Sequence, residues 1–348
     1  MQPAGGTDVA VVADDAQDAA ALVRLATVAG CAGRRRGFAD LHTDWRDAGA
    51  VVVDELSARR CVVARLPRRD RVLVVTTASA VSASTWRDAL ALGADQVLAL
   101  AEEAKVADWL AALAEPSSTG RLVCCLSARG GAGASTLSAS LALAAAADRD
   151  TLLLDGDVQG GGIDYLLGIE SMDGARWPQL RDACGLLPAT VLAETLPHTG
   201  RLRVLAARGD DASPVPQPAL TAVVEAGLRG HDVVIADVDR GGLSAPVWTP
   251  YAEVTLLVVP CEVRATVAAA ALARDVASRC ADVRLVARPG PGDLRPKDVE
   301  AAVGAPVAVL WPWDRRLAAV TEAGRFHRSW RRSGVAGIAA ALLQEMAA

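Results

Sequence analysis

After the apolar run Leu122–Leu126 the chain reads Ser127-Ala128-Arg129-Gly130-Gly131-Ala132-Gly133-Ala134-Ser135-Thr136 and then enters an alanine-rich helical stretch. Glycines at a strand-to-helix turn let successive backbone N–H groups converge on an anion with no Cβ in the way. A helix starting near Ser135 adds the positive end of its dipole. The chemistry such a turn serves is phosphate binding, although the common pattern G-x-x-x-x-G-K-[ST] fails here at Ala128 and Ala134. Two later segments, Leu152-Leu153-Leu154-Asp155-Gly156-Asp157 and Val233-Val234-Ile235-Ala236-Asp237, end apolar runs in carboxylates. Parallel sheets place their ligands at such strand ends. A glycine turn that only packs a helix against a sheet, with solvated acids at neighbouring strand ends, is the alternative reading.

These residues need a scaffold, and the sequence describes one. Short valine- and leucine-rich runs alternate with alanine-rich helical stretches from end to end, the pattern of an α/β protein with parallel sheets. The 348 residues, 52% of them hydrophobic, suffice for two domains. The polar stretch Glu115-Pro116-Ser117-Ser118-Thr119-Gly120 marks a break, giving a first domain over 1–115, a linker over 116–120 and a second domain over 121–348. Strands are expected in the first at Val9–Val12, Ala50–Val53, Val72–Thr76 and Gln96–Leu100, with helices near Gln17–Val28, Ser84–Leu92 and Lys105–Ala114. Seven strands are expected in the second: Leu122–Leu126, Thr151–Leu154, Leu202–Leu205, Val233–Ala236, Val254–Val259, Val283–Val286 and Pro306–Leu310. They suit one large, doubly wound, mostly parallel sheet. Residues Asp211–Pro218 read as an exposed loop.

A net charge of −5 argues against general attraction to nucleic acid or anionic lipid, so any such contact needs a local patch. Seven cysteines without C-x-x-C spacing read as reduced and mostly buried thiols. No secretory signal and no apolar run approaching a membrane span is apparent, so a cytoplasmic protein is expected. Lys105 and Lys297 are the only lysines, and neither lies near the glycine turn.

The turn resembles the deviant phosphate loop (deviant Walker A) of the MinD/ParA family, K-G-G-x-G-K-[ST]-[ST], with Arg129 and Ala134 standing where that family has lysines. The resemblance runs from about Arg121 to Ala348 and implies a P-loop NTPase-like fold that binds ATP with Mg²⁺. It implies nucleotide contacts from Arg129, Gly130, Gly131, Gly133, Ala134, Ser135 and Thr136, with Arg129 reaching the nucleotide of a partner subunit. It further implies Mg²⁺ near Ser135, Asp155 and Asp237, and water orientation by Asp157. Val309-Leu310-Trp311-Pro312-Trp313-Asp314, followed by Ala323-Gly324, is similar to the family's adenine turn, which brings in Asp314. Ala287, before Arg288, departs from the family's asparagine-arginine pair. Losing a lysine–phosphate bond costs roughly 1.5–3 kcal/mol, so weakened binding is expected, with hydrolysis hit harder because positioned charge is the main catalytic device.

Residues 8–115 resemble a receiver domain of flavodoxin-like fold, with Asp14 and Asp15 after the first strand, Asp54 after the third apolar run's predecessor Val51–Val53, and Thr76 or Thr77 further on. Acids clustered this way would hold Mg²⁺ and present Asp54 as phosphoacceptor. Leu100 and Ala101 stand where the resemblance implies lysine-proline, so a pseudo-receiver used for docking is expected. At the C-terminus, Arg325, His327, Arg328, Arg331 and Arg332 flank Trp330. Val335, Ile338, Leu342 and Met346 share a helix face, read here as packing against the sheet because the opposite face is not basic.

The combination is similar to the CpaE-like branch of the MinD/ParA superfamily and, within it, to septum-site-determining proteins of high-GC bacteria. That resemblance implies a regulator of septum placement and cell division, or of polar pilus and secretion machinery, acting by protein contacts at septum or pole. The alternative is an active ATPase that positions cargo. A nucleotide-linked homodimer and peripheral membrane contact go with the family; nucleic acid has no strong case.

Overall fold

The protein is described by a computed structural model covering residues 7–38, 41–78, 81–114, 120–207, 213–290, 294–322 and 326–347. It divides into two compact units, Met1–Pro116 with Gly185–Ala189, and Ser117–Cys184 with Thr190–Ala348. The sequence-derived linker lies, except for Gly120, outside the described residues, as do Ala323, Gly324, Arg325 and residues 211–212 of the expected loop.

In the first unit the order is β1 (Asp8–Val12), α1 (Ala16–Val28), β2 (Ala32–Arg35), α2 (Leu41–Asp47), β3 (Ala50–Asp54), α3 (Glu55–Val63), β4 (Val72–Thr76), α4 (Ala83–Leu92), β5 (Gln96–Ala99) and α5 (Glu103–Ala114). The strands form a parallel sheet in the order β2-β1-β3-β4-β5. That is the flavodoxin-like arrangement. Helices cover both faces, so β4 is buried at every position and the unit has one core on each side of the sheet. Strand β2, together with α2 and α3, was not foreseen. Its sequence Ala-Gly-Arg-Arg has no apolar run, because an edge strand exposed to solvent needs none.

The second unit runs β6 (Arg121–Ser127), α6 (Ala134–Ala145), β7 (Thr151–Asp155), α7 (Ile163–Leu167), α8 (Trp177–Leu180), α9 (Ala189–Thr195), β8 (His198–Thr199), β9 (Leu202–Leu205), α10 (Gln217–Gly230), β10 (Val233–Asp237), α11 (Ser244–Trp248), β11 (Ala252–Pro260), α12 (Val263–Ala277), β12 (Val283–Arg288), α13 (Pro296–Val303), β13 (Val307–Leu310), α14 (Arg315–Glu322), α15 (Phe326–Ser329) and α16 (Gly334–Ala347). Its sheet has the order β13-β12-β11-β6-β10-β7-β9-β8 and is parallel apart from the two-residue β8, which pairs antiparallel with β9. The expected seven strands are all present, and β8 is the addition. Helix α16 packs against α6, burying Val335, Ala339 and Leu342 in the core of this unit. Its apolar stripe is therefore a packing face. Among the described residues no helix is long and apolar enough to cross a membrane.

Candidate functional site

Strand β6 lies in the interior of its sheet, between β10 and β11, and its carboxyl end feeds the glycine turn. Gly131 and Gly133 adopt left-handed backbones, φ +72° and +109°. Gly133 is fixed twice over: a Cβ there would lie 3.0 Å from the Trp311 ring and 2.9 Å from an Arg288 nitrogen. Gly130 and Gly131 have open space where a side chain would go. The bare backbone faces no protein atoms, as an anion cradle requires. Helix α6 begins at Ala134 with Gly133 as its N-cap and no side-chain cap, leaving its first amides to the turn. Ala134 is buried and Ser135 is exposed.

Strand register assembles the acids. β10 pairs with β7 so that Asp237 lies opposite Asp155, and with β6 so that it lies opposite Cys125. Asp237 is 4% exposed and accepts a hydrogen bond from the Ser138 hydroxyl at 3.4 Å, with the Ser135 side chain also acting to favour its charged form. Burial, with Asp155 alongside, pushes its carboxyl up to about 7. Asp155, 2% exposed, accepts from the backbone N–H groups of Asp157, Ile163 and Ala207, yet burial still carries it up to about 6. Half-buried Asp157 is raised by burial and by Asp239. Gly156 separates the two because a Cβ there would sit 2.6 Å from Trp248 and 2.8 Å from the Asp237 carbonyl. Among the described residues no group of three His, Cys, Asp or Glu side chains is arranged to hold a metal by itself. A divalent cation here would need oxygens from a bound phosphate or water besides Ser135 and Asp237. The donor set of a hydroxyl and a carboxylate suits a hard cation such as Mg²⁺.

The cations lie where the sequence did not assign them. Arg129 turns from the cradle to Glu262, Nη2–Oε1 2.9 Å and Nε–Oε2 3.2 Å, and donates to the Gly130 carbonyl. Arg240, just beyond Asp237, donates to the Ala128 carbonyl at 2.8 Å. Arg288, at the end of β12, donates to the Ala132 carbonyl and lies over the rings of Trp311 (4.2 Å) and Trp313 (5.4 Å). Burial and the nearby Arg129 lower the Arg288 pKa. Arg129, Gly131, Glu262, Arg288 and Trp313 line one cavity of about 400 Å³ beside the turn. Arg240 and Arg288 were missed as site residues because they lie at or beyond the ends of strands remote in sequence from the loop. Ala287 is fully buried and offers no base contact. Asp314 accepts from the Gly334 N–H at 3.4 Å, which places it at the start of α16. Thr136 lies in the first turn of α6, half-buried.

In the first unit the expected acids stand together at the ends of β1 and β3, and each is engaged by a backbone amide or by an arginine. Asp15 caps α1, accepting from Gln17 and Asp18 N–H at 2.6 and 3.1 Å. Asp54 caps α3 through Ser57 N–H at 2.7 Å and takes Asp14 N–H at 2.6 Å. Asp14 pairs with Arg60 at 2.7 Å.

Residues 11–121 match a family model described as "Rv3660c-like, CheY-like N-terminal domain". The second unit's fold is that of MinD and ParA P-loop ATPases. A ParA family ATPase from Chlorobium tepidum aligns with 64% of this chain and 96% of its own at TM-score 0.57 and 14% identity. The Pyrococcus horikoshii septum site-determining protein MinD, solved with Mg-ADP, aligns with 66% and 96% at TM-score 0.55 and 17% identity. The Mycobacterium tuberculosis protein Rv3660c is 38% identical over 310 residues, covering 86% of either chain. The chain, a CheY-like domain followed by a MinD/ParA-type sheet, thus belongs to the Rv3660c family.

Proposed function

We propose that this protein regulates septum placement, or polar pilus and secretion machinery, through protein contacts, as a CpaE-like, septum-determining member of the MinD/ParA superfamily whose phosphate loop binds ATP and Mg²⁺ weakly and hydrolyses ATP little or not at all. The observation that carries the reading is Ala134: its buried methyl stands where the family's loop has a lysine, and the loop's remaining cation, Arg129, is paired with Glu262. Backbone amides of residues 130–136 would hold the phosphates, while Ser135 and Asp237 would hold Mg²⁺. Bound Mg²⁺ would place positive charge beside the buried carboxylates of Asp155 and Asp237. The first unit, 1–115, serves as a docking module, since its acids are occupied by caps and by Arg60 and Leu100 replaces the lysine a phosphoacceptor site needs.

The rival is an active positioning ATPase. Asp157 favours it, because a half-buried carboxylate beside the cradle is where a water-orienting group belongs. Purified protein is assayed for ATP turnover beside Asp157→Ala. Turnover at background in both supports the regulator; robust turnover that Asp157→Ala abolishes establishes the rival. In cells, a fluorescent fusion that gathers at septum or pole, with altered division or pilus assembly on depletion, identifies the process regulated.

A further inference from the structure

The first unit holds a cavity that none of the roles above uses. It measures about 380 Å³ and lies at the carboxyl ends of β1 and β2, with α3 as its wall; its polar lining is Asp14, Arg35, Arg36, Ser57 and Arg60, and Phe38 adds a ring. Open parallel sheets bind ligands at this edge.

The charges are unevenly matched. Arg60 pairs with Asp14 at 2.7 Å and lies 6.0 Å from the Phe38 ring centre. Arg36 approaches Asp44 to 3.1 Å, but its buried Nε lacks hydrogen-bond geometry to any partner. Arg35 is exposed and has neither a hydrogen bond nor an ion pair among the described residues. Among the described residues, Arg36 and Arg60 each face one carboxylate, whereas no ion pair engages Arg35. The nearby Asp15 and Asp54 are engaged by backbone amides. Ser57 is 1% exposed, lines the cavity and gives its N–H to Asp54.

We propose that this cavity binds a small phosphate monoester. Arg35 and Arg36 would grip the phosphate oxygens, Ser57 would donate to a third, and Phe38 would lie against the group carrying the phosphate. Guanidiniums suit this role because their planar fork donates two parallel bonds to phosphate. The docking module then becomes an input: it senses a phosphorylated metabolite by non-covalent binding beside Asp54, with no phosphoryl transfer to it. This goes beyond the regulator reading and does not depend on the phosphate loop.

The full-length protein is titrated calorimetrically, without Mg²⁺, with AMP and with inorganic phosphate. Saturable binding of AMP is expected, weaker binding of phosphate, and a loss of roughly 10- to 100-fold in affinity for Arg35→Ala, the span set by one charge-assisted bond. Arg35→Glu should abolish binding and Arg35→Lys should restore most of it. Arg35 is exposed on an edge strand, so these variants keep the fold, which thermal melting verifies. The proposal is overturned if neither probe binds the wild type, or if Arg35→Glu binds as well as wild type, which would place the ligand elsewhere, for instance at the phosphate loop. ATP turnover, measured separately, decides the regulator reading.

Discussion

Both units gather aspartates at the carboxyl ends of a parallel sheet, and the two gatherings are in opposite states. In the first unit Asp14, Asp15 and Asp54 are each satisfied, two as helix caps and one by Arg60. In the second, Asp155 and Asp237 are almost wholly buried and Asp157 half-buried, and all three carboxyls are pushed upward. The same residue type at the same topological position is a finished structural device in one sheet and an uncompensated charge in the other. Burial without a counter-charge is costly, and perturbed carboxyls cluster where a ligand completes the site. The second unit is therefore where a cation or nucleotide has most to contribute.

The largest effect expected on this comparison is kinetic. Removing a positioned positive group from a phosphoryl-transfer site costs on the order of 10²–10³ in rate. Ala134→Lys in the full chain should raise any residual ATP turnover by at least roughly the lower figure, and tighten ATP binding about 10- to 100-fold. A lysine variant that is folded but binds no better than wild type would show that the loop is a structural remnant.

Next comes the pH response of stability. A carboxyl whose folded pKa lies above its unfolded value binds its proton more tightly in the native state, so its stabilisation is complete below the unfolded pKa and disappears as pH rises through the folded one. For Asp237 that window runs from 3.8 to about 7, and for Asp155 from 3.8 to about 6. Ligand-free protein should lose a few kcal/mol of unfolding free energy across this window. Asp237→Asn should flatten the slope and be the more stable protein at pH 8. Urea titrations at pH 5 and pH 8 measure both; equal slopes for wild type and variant would mean that the charge is already compensated.

In the first unit removing a carboxylate should do the reverse. Asp54→Ala removes an N-cap and should destabilise by about 1 kcal/mol at neutral pH. Treatment with acetyl phosphate should add no phosphoryl mass at Asp54, because Leu100 offers nothing to offset the charge. One added phosphoryl group, absent from Asp54→Asn, would return this unit to the working receivers.

Much of this arrangement was legible in the residues, for reasons that also mark the boundary of legibility. Strands buried on both faces, such as β4, β7 and β10, are continuous apolar runs and appear in the sequence as themselves. The turn after β6 was readable because Gly131 and Gly133 need backbones that other residues resist. β2 was not, since an edge strand carries no apolar signal, and neither was the ring of arginines around the loop. Arg240 lies more than 100 residues from the Ala128 carbonyl it binds, and Arg288 more than 150 from that of Ala132. Only strand order brings them together. The Arg129–Glu262 pair has the same origin: β11 and β6 are neighbours, so Glu262 just past one strand end meets Arg129 just past the other.

That pair supports the smallest predicted effect. Both side chains are close to half exposed, 46% and 40%, so the bridge is screened by solvent. Exposed pairs contribute about 0.2–1 kcal/mol, and breaking this one should barely move the melting curve. Its consequence lies in association. If the family's cross-subunit role carries over to Arg129, the guanidinium must leave Glu262 before it can reach a partner's phosphate. ATP with Mg²⁺ should then raise the dimer fraction of the wild type modestly. Glu262→Gln, by weakening the intramolecular pair, should raise it further, whereas Arg129→Ala should remove the response and Arg129→Ala with Glu262→Gln should behave as Arg129→Ala alone. Sedimentation velocity with and without nucleotide distinguishes these outcomes, with circular dichroism confirming the fold of each variant. A response to nucleotide that survives Arg129→Ala would assign dimerisation to some other surface. No response in any variant would leave the Arg129–Glu262 bridge as an ordinary surface ion pair, with the buried acids of β7 and β10 unaffected by the outcome.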